Sequence, residues 1–227
     1  MPVHILALDT VTEACSAALL LDNNNIIERY AVIPRKHIQQ ILPMVDSLLT
    51  EARITLNDLD ALAFSRGPGS FIGIRICTGI AQGLALGIGL PLISISTLAL
   101  LAEGAWRRTG IDQVLTAIDA SMGEIYWAKY QRKTEGVWLC QNNEVILTPD
   151  ILAKQLMQLR GRWAIAGTGW KTYPTLLDIK QSKVQIVSGH TLPNAYDMLP
   201  LALHDYNHGD VQPVQCAKPI YLRNKVT

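Results

Sequence analysis

Apolar and polar positions in the first third of the chain change period more than once. Residues 3–10 form a nearly unbroken apolar run ending in Asp9 and Thr10, the pattern of a strand buried on both faces. Residues 15–21 read as a second strand, residues 22–25 as a turn cluster and residues 26–33 as a third strand, so the chain opens with a meander. Over residues 35–53 the period lengthens to that of a helix. Ile38, Ile41, Leu42, Met44, Val45, Leu48, Leu49 and Ala52 fall in one arc about 160° wide at about 100° per residue. That arc is wider than one sheet contact requires, and Pro43 predicts a kink within it. A buried strand at residues 60–64 follows, then Ser65-Arg66-Gly67-Pro68-Gly69-Ser70, then a second helix over residues 70–87.

In that helix Gly79, Gly83 and Gly87 recur every four residues, with Ala81 and Ala85 between them. Each glycine costs a helix interior about 1 kcal/mol relative to alanine, so three on one ridge call for a reason. A ridge without side chains lets another helix come close. In the turn before it, Gly67 and Gly69 suit positive φ, Pro68 presets φ and Ser70 can cap the first free N–H groups. Such a turn can hold an anion, but a plain strand-to-helix corner is the simpler reading of one short glycine motif.

The apolar stretch at residues 80–102 raises the question of a membrane span. Pro91 interrupts it, and helix, short strand (residues 92–95) and a new helix from Ser96 is the better fit, so a soluble protein is expected. Further on, Leu115-Thr116-Ala117-Ile118-Asp119-Ala120 repeats the pattern of Ile5-Leu6-Ala7-Leu8-Asp9-Thr10 at a spacing of 110 residues. Each copy precedes a strand, a turn cluster and another strand. Two similar α/β domains follow, residues 1–103 and 104–227, with the final segment able to pack back on the first domain. The second half continues with a helix at residues 150–159 and a strand at 163–166 closing on Gly167-Thr168-Gly169. A helix over residues 193–207 ended by Gly209 and an extended basic tail from Pro213 complete it.

Composition narrows the functional classes. Of 227 residues 49% are hydrophobic and 17% charged, which supports a packed core and argues against disorder. The net charge of +1 does not mark the chain as a nucleic-acid binder. Four scattered cysteines without a C-x-x-C point to reduced thiols in a cytosol. His204 and His208 stand four apart, a spacing that suits either a metal or the capping of a helix end, and capping is preferred. His37 reads as a capping or surface residue. No catalytic or metal-binding residues are assigned.

Asp9-Thr10, the downstream Cys15-Ser16-Ala17-Ala18-Leu19 and the block Ser65-Arg66-Gly67-Pro68-Gly69-Ser70-Phe71-Ile72-Gly73-Ile74-Arg75 together resemble the TsaB family, formerly called YeaZ. The resemblance implies the actin-like, Hsp70-like and sugar-kinase-like fold with two related α/β domains. It implies a cytoplasmic, non-catalytic scaffold or activating subunit for making N6-threonylcarbamoyladenosine beside the anticodon of tRNAs reading codons that begin with A. In that family TsaB pairs with its paralogue TsaD, which transfers the threonylcarbamoyl group. The ATPase TsaE joins them, TsaB forms a homodimer when alone, and tRNA is met through the complex. TsaD carries an H-x-x-x-H among its metal ligands where this chain has Ser96-Thr97-Leu98-Ala99-Leu100-Leu101, without histidine. The sequence departs from the family pattern at Ile72, where threonine is more usual.

Carried over, the partner surface uses Ile38, Ile41, Leu42, Val45 and Leu49 of the first helix and Arg75, Gly79, Gly83 and Leu86 of the second. No cofactor is expected on this chain alone. Asp9, Thr10, Gly167 and Gly169 are the candidates for a nucleotide contact, and ATP or ADP is assigned to the partner complex if anywhere. The competing reading is an independent ATPase or small kinase of the same fold that uses Asp9, Asp119 and the Gly167–Gly169 turn. A weaker third reading has the basic tail (Lys218, Arg223, Lys225) contact tRNA directly.

Overall fold

The computed structural model describes residues 2–22, 24–133, 136–140, 143–177 and 183–223. Asn23, Thr134 and Glu135 of the two expected turn clusters, and Lys225 of the expected tail, lie outside them. The chain divides into two compact units, residues 1–100 with 193–220 and residues 101–192 with 221–227.

The first unit is built on a five-stranded sheet ordered β3-β2-β1-β4-β5. Its strands are β1 (Ile5–Asp9), β2 (Ala14–Leu21), β3 (Asn25–Val32), β4 (Ala61–Ser65) and β5 (Leu92–Ile95). β1, β2 and β3 are the expected antiparallel meander, whereas β4 and β5 run parallel to β1 after crossovers through α1 (His37–Ala52) and α2 (Phe71–Ile88). β1 and β4 are buried along their whole length because helices cover both faces. Leu6, Leu8, Ala17 and Leu19 face α1 and α2 through Ile41, Val45, Leu48, Ile74 and Cys77. The alternate set, Ile5, Ala7, Ala18 and Leu20, faces α6 (Ala195–Asn207) through Met198, Leu199 and Ala202. α1 continues through Pro43 as one helix. The first break falls at 100/101 rather than at the 103/104 read from the sequence, and α6 and residues 208–220 belong to the first unit.

α3 (Thr97–Thr109) begins in the first unit and carries the chain into the second, so the region expected to separate domains is mostly helix. The second unit contains β6 (Gln113–Asp119), β7 (Ile125–Arg132), β8 (Trp138–Cys140), β9 (Val145–Leu147), α4 (Pro149–Leu156), β10 (Arg160–Ala166), α5 (Gly169–Thr172) and β11 (Lys183–His190). Its sheet is ordered β11-β10-β6-β7-β8, with β9 also paired to β7. Strand for strand, β6, β7, β8, β10 and β11 repeat the order of β1 to β5, with β7 antiparallel to β6 and with β10 and β11 parallel. The duplication read from the two acidic hairpins is therefore present in the topology. Two related α/β units of this order are the actin-like, Hsp70-like and sugar-kinase-like fold. Leu115, Ala117, Trp127, Leu152, Trp163 and Trp170 form the second core, and Trp127 meets Trp170 edge-to-face at 6.0 Å between ring centroids.

The described part of the tail, residues 213–223, is held down rather than extended freely. The Gln82 side chain donates to the Ala217 carbonyl at 2.9 Å, Gln212 bridges to Leu92, and residues Val214–Cys216 form a 3-10 turn. Within the second unit Arg223 ion-pairs with Glu124 and donates to the Ala120 carbonyl at 3.0 Å, so its charge is already engaged.

Candidate partner-binding face

α1 and α2 each bury one stripe on the first sheet and leave a second apolar stripe outside. On α1, Ile41 and Val45 are buried in the core and Leu49 packs half-buried against it. These three were expected at a partner surface, but they point at the sheet and support the outer face from behind. Ile38 and Leu42, one helical turn apart, are 63% and 46% exposed. On α2 the buried stripe is Ile74, Cys77, Ala81 and Ala85. Ile72, Arg75, Gly79, Gly83 and Leu86 are all exposed, at helical spacings of three and four. Ile72 is 68% exposed and Leu86 67%. Among the described residues α2 is the one helix long and apolar enough, by length and composition alone, to cross a bilayer. Here one side of the helix packs on the sheet and the other side is exposed.

The glycine ridge is open as well. A Cβ built at Gly79, Gly83 or Gly87 meets nothing within 4 Å. No packing among the described residues requires glycine there, and the helix loses about 1 kcal/mol at each interior position by lacking alanine. Ahead of the ridge the Arg75 guanidinium lies over the Phe71 ring at 3.4 Å from its centroid. Phe71 and Ile72 are exposed apolar residues in the first turn of α2 that the sequence reading left out of the surface. Their adjacency to the glycine ridge in the helical period was the available signal.

The glycines of the preceding turn have a different reason. Gly67 takes φ +100°, which favours glycine. A Cβ at Gly69 would stand 2.5 Å from the Val11 carbonyl oxygen, and one at Gly73 would overlap the Thr10 carbonyl. The loop and the first turn of α2 are pressed against the β1–β2 hairpin. Ser70 N–H donates to the Val11 carbonyl at 2.8 Å, and the Ser70 hydroxyl caps the helix by accepting from Gly73 N–H at 3.3 Å. Two donors that an anion would use are thus engaged within the chain. Thr10 donates its hydroxyl to the Gly73 carbonyl at 2.8 Å, so it too serves this junction.

Asp9 is fully buried at the end of β1. Its Oδ1 accepts from Val11 N–H at 3.2 Å, while Oδ2 has no partner among the described residues. Burial pushes its carboxyl up to about 6, against the lowering pull of the nearby Ser65 hydroxyl and Val11 N–H. Burial first, and the Asp9 charge second, raise the Cys15 and Cys77 thiols to about 12, so neither is a ready nucleophile. In the second unit Gly167 takes φ +104°, and a Cβ there would overlap the Ala117 carbonyl. A Cβ at Gly169 would lie 3.0 Å from the Ala117 Cβ. This turn needs glycine to sit on β6. Asp119 accepts from Ser121 N–H at 3.0 Å, and its own N–H donates to the Thr168 hydroxyl at 3.0 Å. Each nucleotide candidate is therefore accounted for by local structure within its own unit, except the second oxygen of Asp9.

His208 Nδ1 lies 2.8 Å from the His204 carbonyl at the end of α6, the geometry of a helix cap. His37 is the first residue of α1 and is buried, not a cap or a surface residue as expected. Among the described residues no group of three or more His, Cys, Asp or Glu side chains is placed to hold a metal.

Comparison with known proteins agrees with this architecture over the whole chain. Residues 24–175 match the family model described as TsaD: tRNA N6-adenosine threonylcarbamoyltransferase. The chain is 49% identical to the tRNA threonylcarbamoyladenosine biosynthesis protein TsaB of Escherichia coli, over 99% of this chain and 96% of that one. It is 40% identical to the protein of the same name in Haemophilus influenzae, over 98% of this chain and 94% of that one. Among solved structures, YeaZ from Pseudomonas aeruginosa superposes with a TM-score of 0.85 at 40% identity, covering 97% of this chain and all of that one.

Proposed function

This chain belongs to the TsaB family of tRNA threonylcarbamoyladenosine biosynthesis proteins, and from that premise we propose that it is a cytoplasmic, non-catalytic subunit that pairs with the TsaD transferase through the outer face of α1 and α2. The observation that carries this reading is the exposed glycine ridge of α2, where no contact among the described residues calls for glycine, with Ile72 and Leu86 exposed on the same helix and Ile38 and Leu42 exposed on α1. A contiguous apolar face in water marks an interaction site. TsaD shares a family model with this chain, so a patch that pairs two copies of this chain can also receive a paralogue of the same fold.

In this reading TsaD carries the transfer chemistry, TsaE joins the complex and any ATP or ADP is held there. The substrate is the adenosine beside the anticodon of tRNAs that read codons beginning with A. Against an independent ATPase or kinase, the Gly167-Thr168-Gly169 turn is closed onto β6 and Thr10 is tied to α2.

Sedimentation velocity of the protein alone and with purified TsaD tests the proposal. A dimer that gives way to a mixed complex, with both assemblies lost in Leu42→Asp, is the expected result. A monomer indifferent to TsaD overturns it.

A further inference from the structure

The overall charge of +1 conceals two opposite halves. The first unit carries seven Lys and Arg against eleven Asp and Glu, a net of −4, and the second carries thirteen against eight, a net of +5. Much of the second unit's excess stands at one end of its sheet. α3 ends at Thr109 with Arg107 and Arg108 in its last turn, four residues before β6 starts at Gln113. β10 pairs in parallel with β6 in a register that begins at Ala164 and Val114, so the preceding residues of β10, Arg160 to Trp163, stand at the end of the sheet where the chain enters β6 from the α3–β6 turn. The Gln113 side chain lies 3.7 Å from a Cβ built at Gly161, between the two arginines.

These arginines also share a face. Trp163 and Ile165 point into the second core, so by strand alternation Arg160 and Arg162 lie on the opposite side. α3 is on that side too: Trp106 stacks on Arg132, at 3.6 Å from the ring centroid, and Glu103 accepts from the Trp138 indole at 2.6 Å. Arg132 is paired with Glu103, whereas Arg108, Arg160 and Arg162 are exposed and make no ion pair among the described residues. The register sets a further cation, Lys183, beside Arg160 along the backbone.

We propose that this corner of the second unit, Arg108, Arg160 and Arg162 around the α3–β6 turn, binds the sugar–phosphate backbone of the tRNA. The proposal rests on the reading of this chain as a subunit of a tRNA-modifying complex. Three guanidiniums with no carboxylate partners match a polyanion by charge, and guanidinium forks suit phosphate oxygens. Contacts of this kind position a nucleic acid without reading its sequence. They belong to a different unit from the α1/α2 face, so a pairing contact and a tRNA contact need not compete for the same residues. The tail, in contrast, has its Arg223 engaged by Glu124 and backbone carbonyls.

The test is binding of a labelled tRNA to the complex of this chain with TsaD, across a salt series, for the natural chain and for Arg108→Ala/Arg160→Ala/Arg162→Ala. The expected result is a loss of roughly tenfold or more in affinity and a salt slope shallower by about two to three, since each phosphate contact contributes close to one. Lys218→Ala, an exposed cation of the first unit, serves as the control and is expected to leave both unchanged. Sedimentation of the same variants with TsaD separates the two ideas: loss of tRNA affinity with pairing intact supports the basic corner. Unchanged affinity and slope in a folded, paired triple variant overturns it while leaving the subunit reading standing. If the triple variant instead loses TsaD or TsaE with its direct tRNA affinity intact, the corner docks a protein and the proposal fails.

Discussion

Replacing Gly79 and Gly83 by alanine separates the stability of this chain from its ability to pair. Neither added Cβ meets anything within 4 Å, so no packing cost opposes the change inside the chain. Both positions are in the interior of an 18-residue helix, where alanine is better than glycine by about 0.8–1.0 kcal/mol each. The double variant is therefore expected to stabilise the isolated chain by about 2 kcal/mol. At about 2–4 °C per kcal/mol for a chain of this size, its melting temperature should rise by about 4–8 °C. At a contact where helices touch along a bare ridge, the same two methyl groups overpack the interface. Overpacking costs typically about 1–3 kcal/mol per site, so two sites should weaken pairing by about thirtyfold to ten-thousandfold. The assay is thermal or denaturant unfolding at a concentration low enough to keep the protein monomeric, alongside sedimentation with and without TsaD, because pairing adds its own stability at higher concentration. A more stable chain that pairs less well confirms the reasoning. A more stable chain that pairs as before refutes it, and the exposed ridge would then have no part in the contact.

Gly73→Ala should behave oppositely to the ridge glycines: its Cβ would overlap the Thr10 carbonyl, and a loss of about 1–3 kcal/mol is expected in denaturant unfolding. Asp9 has a folded-state value of about 6 against an ordinary 3.8, so the folded protein binds the extra proton between these values and the penalty of its buried charge, on the order of 3 kcal/mol at pH 7, is relieved as pH falls from about 6 towards 4. Asp9→Asn should remove that part of the pH dependence from the unfolding free energy; an unchanged profile would contradict it. His190 has the opposite sign: burial, then Arg108 and Arg107, lower it to about 3, so the stability its neutral form supports is lost as pH falls below about 6.5. Its ring resonances should not titrate between pH 7 and 4, and Arg108→Ala should raise its titration point.

Much of the first sheet was legible because its residues are committed locally. β1, β2, β4 and β5 are short apolar runs bounded by turn residues, and β1 and β6 carry the same pattern with an acid at the same place. What the pattern could not give is which part of an apolar arc the chain covers for itself. The arc on α1 contains Ile41 and Val45, which meet the sheet, and Ile38 and Leu42, which do not. The same limit governs α6, whose apolar stripe is plain in sequence but whose partner strands lie more than a hundred residues earlier. The Gly67–Gly69 turn read as a plain corner that could also hold an anion; the close approach of Gly69 and Gly73 to the Val11 and Thr10 carbonyls leaves no mark in the sequence beyond the missing side chain. β11 went unread because the polar–apolar alternation of Lys183 to Ile186 lasts four residues before Val187-Ser188-Gly189-His190 breaks it.

The duplication also explains how one fold can divide its tasks. The corresponding strands β4 and β10 are each followed by a glycine with φ near +100°, Gly67 and Gly167; the first turn closes against Thr10 and Val11 after β1, the second against Ala117 of β6. After that point the copies diverge. The first unit extends the turn into an 18-residue helix with a bare outer ridge, while among the described residues the second has the four residues of α5 and a 3-10 turn at Pro174–Leu177. A helix of four residues offers no surface for a paralogue, so pairing through this element is possible in one copy alone. The charge follows the same line, with the acidic excess in the unit that carries the apolar face and the basic excess in the other. An acidic unit repels phosphate, which favours placing a tRNA contact on the second unit, where the unpaired arginines are. The proposed assignments of pairing to α2 and of backbone binding to the α3–β6 corner thus follow from where the two copies of one topology stopped being alike.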